Sequence, residues 1–282
     1  MTTHTTLHAL LRKKSIAQMI QETEGVIRSQ PTNTEPRWLL FQLLCLTGTW
    51  DRAFKLLPSA TGAIASGKTS EIAATQRYQQ LIQAEKSRIE VFAGLSAPDF
   101  LSPAPAWMLA LIEALTFEAI GDQFQADQQR EIGLGAAPSV SGHTPQGDFK
   151  WIADADSRLG PVCEFMQGGQ YHWIPLYEIS SFFHPEPARI IDLVWSPVSL
   201  ALTTGQVLQG HMPARYPGAE TASDSIRLGH QTQWLEQGRT GSLGSGQKMW
   251  MHDTGEWAMR DVRECHFHAQ VNHTNNKSID GA

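Results

Sequence analysis

Apolar residues recur at helical spacing through the first half of the chain. Positions 7–12 and 16–29 carry such a stripe, with Ile16, Met19, Ile20 and Ile27 on one face, and Pro31 halts it. Asn33, Thr34, Glu35 and Pro36 supply capping residues for a helix over 37–46 that is apolar on nearly every face, as in a helix buried on more than one side. Gly48 ends that helix, and a short partner over 50–57 stops at Pro58. Small residues at 61–68 form a linker to a longer helix over 70–93, striped by Tyr78, Leu81, Ile82, Ile89 and Phe92. Pro98, Pro103 and Pro105 punctuate the next connection. Helices over 106–120 and 123–134 follow, divided by Gly121 and Asp122.

Helix pairs at this spacing suggest a stack of tetratricopeptide-like hairpins. Gly48, Trp50 and Ala53 match that repeat's turn, aromatic and small positions, and Gly121, Ala126 and Pro138 match a second turn, small residue and closing proline. The second copy has Gln123 where the first has Trp50, so the repeats are divergent; an irregular helical bundle is the alternative.

The texture changes at 135–147, which is rich in small and turn-forming residues and marks a domain boundary. Short strands are expected over 162–166, 171–174, 179–183, 198–202 and 207–212, with hairpin turns at 167–170 and 203–206. Helices are expected over 190–195 and 222–236, and two last strands over 248–252 and 257–263 flank a turn at 253–256. The predicted fold is α+β: an all-helical tetratricopeptide-like stack over 1–135, then a smaller mixed α/β domain over 148–267 with short, mainly antiparallel strands. The polar run over 268–282 is expected to be disordered.

Composition narrows the function classes. At 41% hydrophobic and 18% charged, the 282 residues suit a soluble globular protein. A net charge of −6 argues against a general binder of nucleic acid or anionic membrane. Arg12, Lys13 and Lys14 form the densest basic cluster, which a solvated helix face explains. The first residues show no secretory signal, and the longest apolar run, 38–46, is broken by Gln42 and too short to span a bilayer. Cys45, Cys163 and Cys265 are scattered, as expected of reduced thiols in a cytoplasm.

Candidate chemistry is sparse. Asp154 and Asp156, two apart, could share a metal or divide acid and base roles, but Arg158 beside them allows an internal ion pair or a helix cap. Cys265, His266, His268 and His273 cluster near the end of the chain without a second ligand pair, which suits a fraying tail. His172, His184, His211 and His252 lack a neighbour from a nucleophile motif, and Cys163 reads as a small core residue. Residues 244–248 end in Lys248 but lack the order of a phosphate loop, so a flexible loop is expected. Arg215 and Tyr216 sit in a rigid turn between Pro213 and Pro217, suited to partner contact or internal bracing. No reaction centre emerges: the expectation is a non-enzyme that binds another polypeptide and needs no cofactor or metal.

The blocks Trp151-Ile-Ala-Asp-Ala-Asp-Ser-Arg-Leu-Gly-Pro161, Gly169-Gln-Tyr-His-Trp-Ile-Pro175, Asp192-Leu-Val-Trp195 and Pro213-Ala-Arg-Tyr-Pro-Gly218 resemble the ImpE/TagJ family. The stretch Arg37 to Leu46 and Gly48-Thr-Trp50 look like it too, so the resemblance covers about 10–265. It implies a cytoplasmic accessory protein of bacterial type VI secretion. The implied partner is the N-terminal helix of the small contractile-sheath subunit, with an influence on sheath assembly or on recycling by the ClpV ATPase. The groove is expected near Trp38, Phe41 and Trp107, or where the helical half meets 151–159; Trp151, Asp154, Asp156, Arg158, Arg215 and Tyr216 complete the candidate partner-binding set. The competing expectations are a general scaffold for other secretion components and a metal-dependent hydrolase using Asp154 and Asp156.

Overall fold

The computed structural model describes residues 14–268; the stripe predicted over 7–12, the polar run from 269 and His273 lie outside the described residues. Six α-helices occupy the first half of the described chain: α1 (Ile16–Ser29), α2 (Glu35–Leu46), α3 (Trp50–Leu56), α4 (Lys68–Phe92), α5 (Ala106–Ala119) and α6 (Gln123–Ala136). A capping box opens α1: the Ser15 hydroxyl accepts from the Gln18 amide N–H at 3.2 Å, and the Gln18 side chain accepts from the Ser15 N–H at 3.1 Å. α2 is buried at Trp38 and from Leu40 to Leu46. α1 packs on α2, α2 on α3, and α5 on α6. Ala53 and Ala126, the small positions of the repeat pattern, are fully buried. The turn glycines Gly48 and Gly121 both adopt the left-handed region, at φ 65° and 78°.

The second half is mainly antiparallel strand. An eight-stranded sheet has the order β2 (Gly147–Phe149), β1 (Gly142–Thr144), β13 (Glu264–Phe267), β6 (Ile179–Phe183), β7 (Trp195–Leu202), β8 (Val207–Pro213), β4 (Val162–Gln167), β5 (Gln170–Pro175), every pair antiparallel. A three-stranded sheet orders β12 (Gly255–Ala258), β11 (Met249–His252) and β3 (Ile152–Asp154). A separate hairpin pairs β9 (Thr232–Gln237) with β10 (Gly241–Gly246).

Strand alternation divides the large sheet between two apolar clusters. On β4, Val162 and Met166 join the helices, while Cys163 and Phe165 turn to the opposite cluster; on β5, Tyr171 and Trp173 oppose Ile174 in the same way. One cluster therefore runs from Ile16 on α1 through Phe41 and Tyr78 to Trp173 and Trp195 in the sheet. The other joins Phe165, Phe182 and Leu200 to Trp250 on β11 and to Met259. The longest helix, α4, lies against β4 and β5, and α2 packs on the 3₁₀ turn over Ile190–Leu193, so both helices join the halves.

Several elements depart from the sequence expectations. The helix expected over 222–236 is a four-residue turn of helix, α7 (Asp224–Arg227), closed by Gly229 at φ 61°; the remainder is β9, whose pairing with β10 outweighs its helical pattern. The helix expected over 190–195 is a 3₁₀ turn over Ile190–Leu193, and Trp195 already belongs to β7. The strand expected over 257–263 stops at Ala258. The supposed fraying at Cys265 and His266 is instead β13, a strand inside the sheet with neighbours on both sides. The supposed boundary over 135–147 contains the end of α6 and all of β1. Among the described residues no helix is long and apolar enough to cross a membrane.

Candidate functional site

The 151–161 block folds as an edge strand followed by two consecutive Asx turns. Asp154 Oδ1 accepts from the Asp156 N–H at 2.9 Å, and Asp156 Oδ1 accepts from the Arg158 N–H at 2.9 Å. The loop closes on itself where the Asp154 N–H donates to the Gly160 carbonyl at 2.7 Å. The Asp156 carboxylate, fully buried, also takes Arg158 Nε at 2.9 Å and the Gly244 N–H of β10 at 2.9 Å. Arg158 then lies over the Phe92 ring at 4.9 Å, tying the loop to the end of α4.

Asp154 opens a longer buried network. Its Oδ1 accepts from the Tyr216 hydroxyl at 2.8 Å, and its Oδ2 pairs with Lys248 Nζ at 2.6 Å. Lys248 also pairs with Glu164 on β4, which accepts from Arg88 Nε at 2.6 Å and from the Tyr171 hydroxyl at 2.6 Å. Arg88, on α4, pairs with Glu85 at 3.0 Å, and Glu85 accepts from Trp195 Nε1 at 2.8 Å. Arg88 Nη2 donates to the Arg215 carbonyl at 2.9 Å, while the Arg215 guanidinium donates to the carbonyls of Leu46 at 3.0 Å and Arg227 at 2.8 Å. The two sequence blocks at 151–161 and 213–218 thus meet in one set of buried charges that pins helices to sheet.

Burial and charge compete within this set. Burial pushes the Asp154 carboxyl up to about 6 even though Lys248 pulls it down. Burial acts the same way on Glu164, but Arg88 and Lys248 prevail and hold it at about 2. Burial draws the Arg215 guanidinium down to about 10. Lys248 is raised: burial opposes its charge, and Asp154 and Glu164 outweigh it. Asp154 and Asp156 share a hydrogen bond, not a ligand site, and no group of three or more His, Cys, Asp or Glu residues among the described residues could hold a metal ion.

The other sequence candidates are dispersed. Trp38 stacks on Phe41 at 5.1 Å between ring centroids, and both pack on Tyr78 inside the helical core. Trp107 is buried near Gly133 of α6. Arg215 and Tyr216 are buried. Residues 244–248, expected to be a loop, end β10 and deliver Lys248 to the network. Glu164, Arg88 and Glu85 have no sequence signal beyond a single carboxylate inside the apolar run of β4, and Lys248 is visible in the sequence only as the end of a supposed loop.

A cleft of about 550 Å³ opens beside the 151–161 loop. Trp151, Pro161, Leu134 and Pro138 form one part of its lining, Trp234 of β9 and Met251 of β11 another, and Glu236 and Glu256 add two carboxylates. Trp234 stands 5.5 Å from Tyr216, ring to ring, and is partly exposed. An apolar cleft with a few placed polar groups is the usual form of a binding site.

Fold and site together define an α+β protein whose buried charged residues bind one another or backbone carbonyls and which opens an apolar cleft at the helix–sheet joint. The chain belongs to the ImpE/TagJ family. The family model described as ImpE protein matches residues 146–266. The chain is 37% identical over 259 residues to the type VI secretion system accessory component TagJ of Pseudomonas aeruginosa, spanning 92% of this chain and 89% of that one. The crystal structure of protein VPA1032 from Vibrio parahaemolyticus has the same fold, with a TM-score of 0.82 at 20% identity, covering 91% of this chain and 95% of that chain.

Proposed function

We propose that the protein is a non-catalytic accessory component of a bacterial type VI secretion system, acting in the cytoplasm. It binds the N-terminal helix of the small contractile-sheath subunit and thereby tunes sheath assembly or its ATPase-driven recycling. The name of the Pseudomonas aeruginosa relative supports the system, and the apolar cleft at Trp151 and Trp234 supports a helix as the ligand. An amphipathic helix presents anchors at i, i+3, i+4 and i+7, which suits an apolar groove lined by aromatic rings. Glu236 and Glu256 would meet basic residues flanking those anchors.

Anisotropy titration of a labelled sheath N-terminal peptide tests this. Trp234→Ala is expected to weaken binding at least about tenfold, or ~1.4 kcal/mol, with an unchanged melting temperature. Equal affinity for wild type and variant removes the cleft as the site. A peptide that fails to bind the wild type removes the partner.

A further inference from the structure

A second cleft, of about 380 Å³, lies between α4, the β4–β5 turn and β8, and shares no lining residue with the first. Its charged lining is Arg77 from α4 and Arg189 from the segment before the 3₁₀ turn, with His211 of β8 between the strands. Arg77 is exposed and touches the Tyr78 ring, with no carboxylate in ion-pair range among the described residues. Arg189 is partly satisfied: Nη2 pairs with Asp192 at 2.9 Å and Nη1 donates to the Tyr78 hydroxyl at 3.1 Å. Neither ring nitrogen of His211 hydrogen-bonds to another described residue. Gln80 and Gln167 add neutral amides to the wall. Two guanidiniums against one carboxylate leave this cleft positive on a molecule whose net charge is −6.

We propose that this cleft binds the oxyanion of a small phosphate monoester, held by Arg77 and Arg189 with His211 as the third donor. Guanidinium groups match phosphate oxygens in pairs, and an unpaired one in a concave site is available to them. The space exceeds what a bare ion fills: at ~30 Å³ per water it holds about a dozen waters, so room remains for the organic group. Burial, and then Arg77 and Arg189, depress His211 to about 4, with Asp192 opposing them. In the empty cleft the ring is therefore neutral at ordinary pH. A bound anion offsets both arginines and favours the imidazolium, so binding takes up a proton and strengthens as pH falls.

Phenyl phosphate and inorganic phosphate serve as probes, titrated calorimetrically at fixed ionic strength against chloride. Phenyl phosphate is expected to bind more tightly, and Arg77→Gln, at an exposed position that leaves the fold intact, is expected to weaken it at least tenfold. Phenyl sulfate, whose charge is constant from pH 8 to 5, is expected to bind more tightly at the lower pH in wild type and with little change in His211→Gln. Absence of binding at millimolar phenyl phosphate overturns the proposal, as does unchanged affinity in Arg77→Gln. Stronger binding of the bare ion than of the ester overturns the assignment to a monoester.

Discussion

At Glu164 burial and ion pairing pull against each other. A carboxylate with no exposed surface persists as an anion because Arg88, Lys248 and the Tyr171 hydroxyl all reach it. Glu164→Gln leaves two buried cations short of their shared partner, and the expected loss is about 3–5 kcal/mol in urea unfolding at neutral pH. Its folded pKa of about 2 lies below the usual 4.5, so its stabilisation is complete above 4.5 and fades as pH falls toward 2. The stability gap between wild type and Glu164→Gln should therefore narrow on acidification; a gap constant from pH 6 to 3 would contradict the pairing. Asp154 has the opposite sign: its carboxyl is raised to about 6 from 3.8, so its contribution is full below 3.8 and lost as pH rises through 6. Asp154→Asn should accordingly cost less than Glu164→Gln near neutrality. In the sequence, Asp154, Asp156 and Arg158 stood out because they are adjacent. The pairing of Lys248 with Glu164 does not show, because they are 84 residues apart and only the fold brings them together.

Among the elements, legibility followed how local the determining interactions are. α1, α2, α5 and α6 came through because their apolar spacing and their proline or glycine stops lie within each segment. The hairpin turns at 167–170 and 203–206 were equally legible, and β4–β5 and β7–β8 flank them as expected. β1 and β13 leave no local signal: each is three or four residues long, and they pair with each other across most of the second half. The β9–β10 hairpin looks like helix plus loop in the sequence because its partner strand is glycine-rich, although those glycines have a packing role. A Cβ on Gly244 would press into the Tyr216 ring, whose hydroxyl anchors Asp154. Gly244→Ala should cost about 1–3 kcal/mol by thermal melting, with a shift in tryptophan emission as Trp234 loses its neighbour. An unaltered melting temperature would mean that β10 yields without disturbing the network.

For the whole molecule, the cluster from Ile16 to Trp195 and the ion pairs from Arg88 to Lys248 join helices to sheet. Helical circular dichroism and tryptophan fluorescence should then report one shared unfolding midpoint, and two separated transitions would show the halves to be independent. The apolar and charged parts of this joint differ in what could be foreseen. The buried aromatics were visible as surplus apolar residues, whereas the cleft is formed by α6, the 151–161 loop and β9, and no single segment describes it.

The position of β13 bears on how the chain is made. It lies between β1 and β6, yet it leaves the ribosome about eighty residues after β6 does. At elongation rates of ~5–20 residues per second, the outer side of β6 waits roughly 4–16 s for its neighbour. A nascent polypeptide in which β6 has already joined β7 would keep an unsealed, adhesive border for that interval, so crowded polysomes are where self-association is expected to be most dangerous.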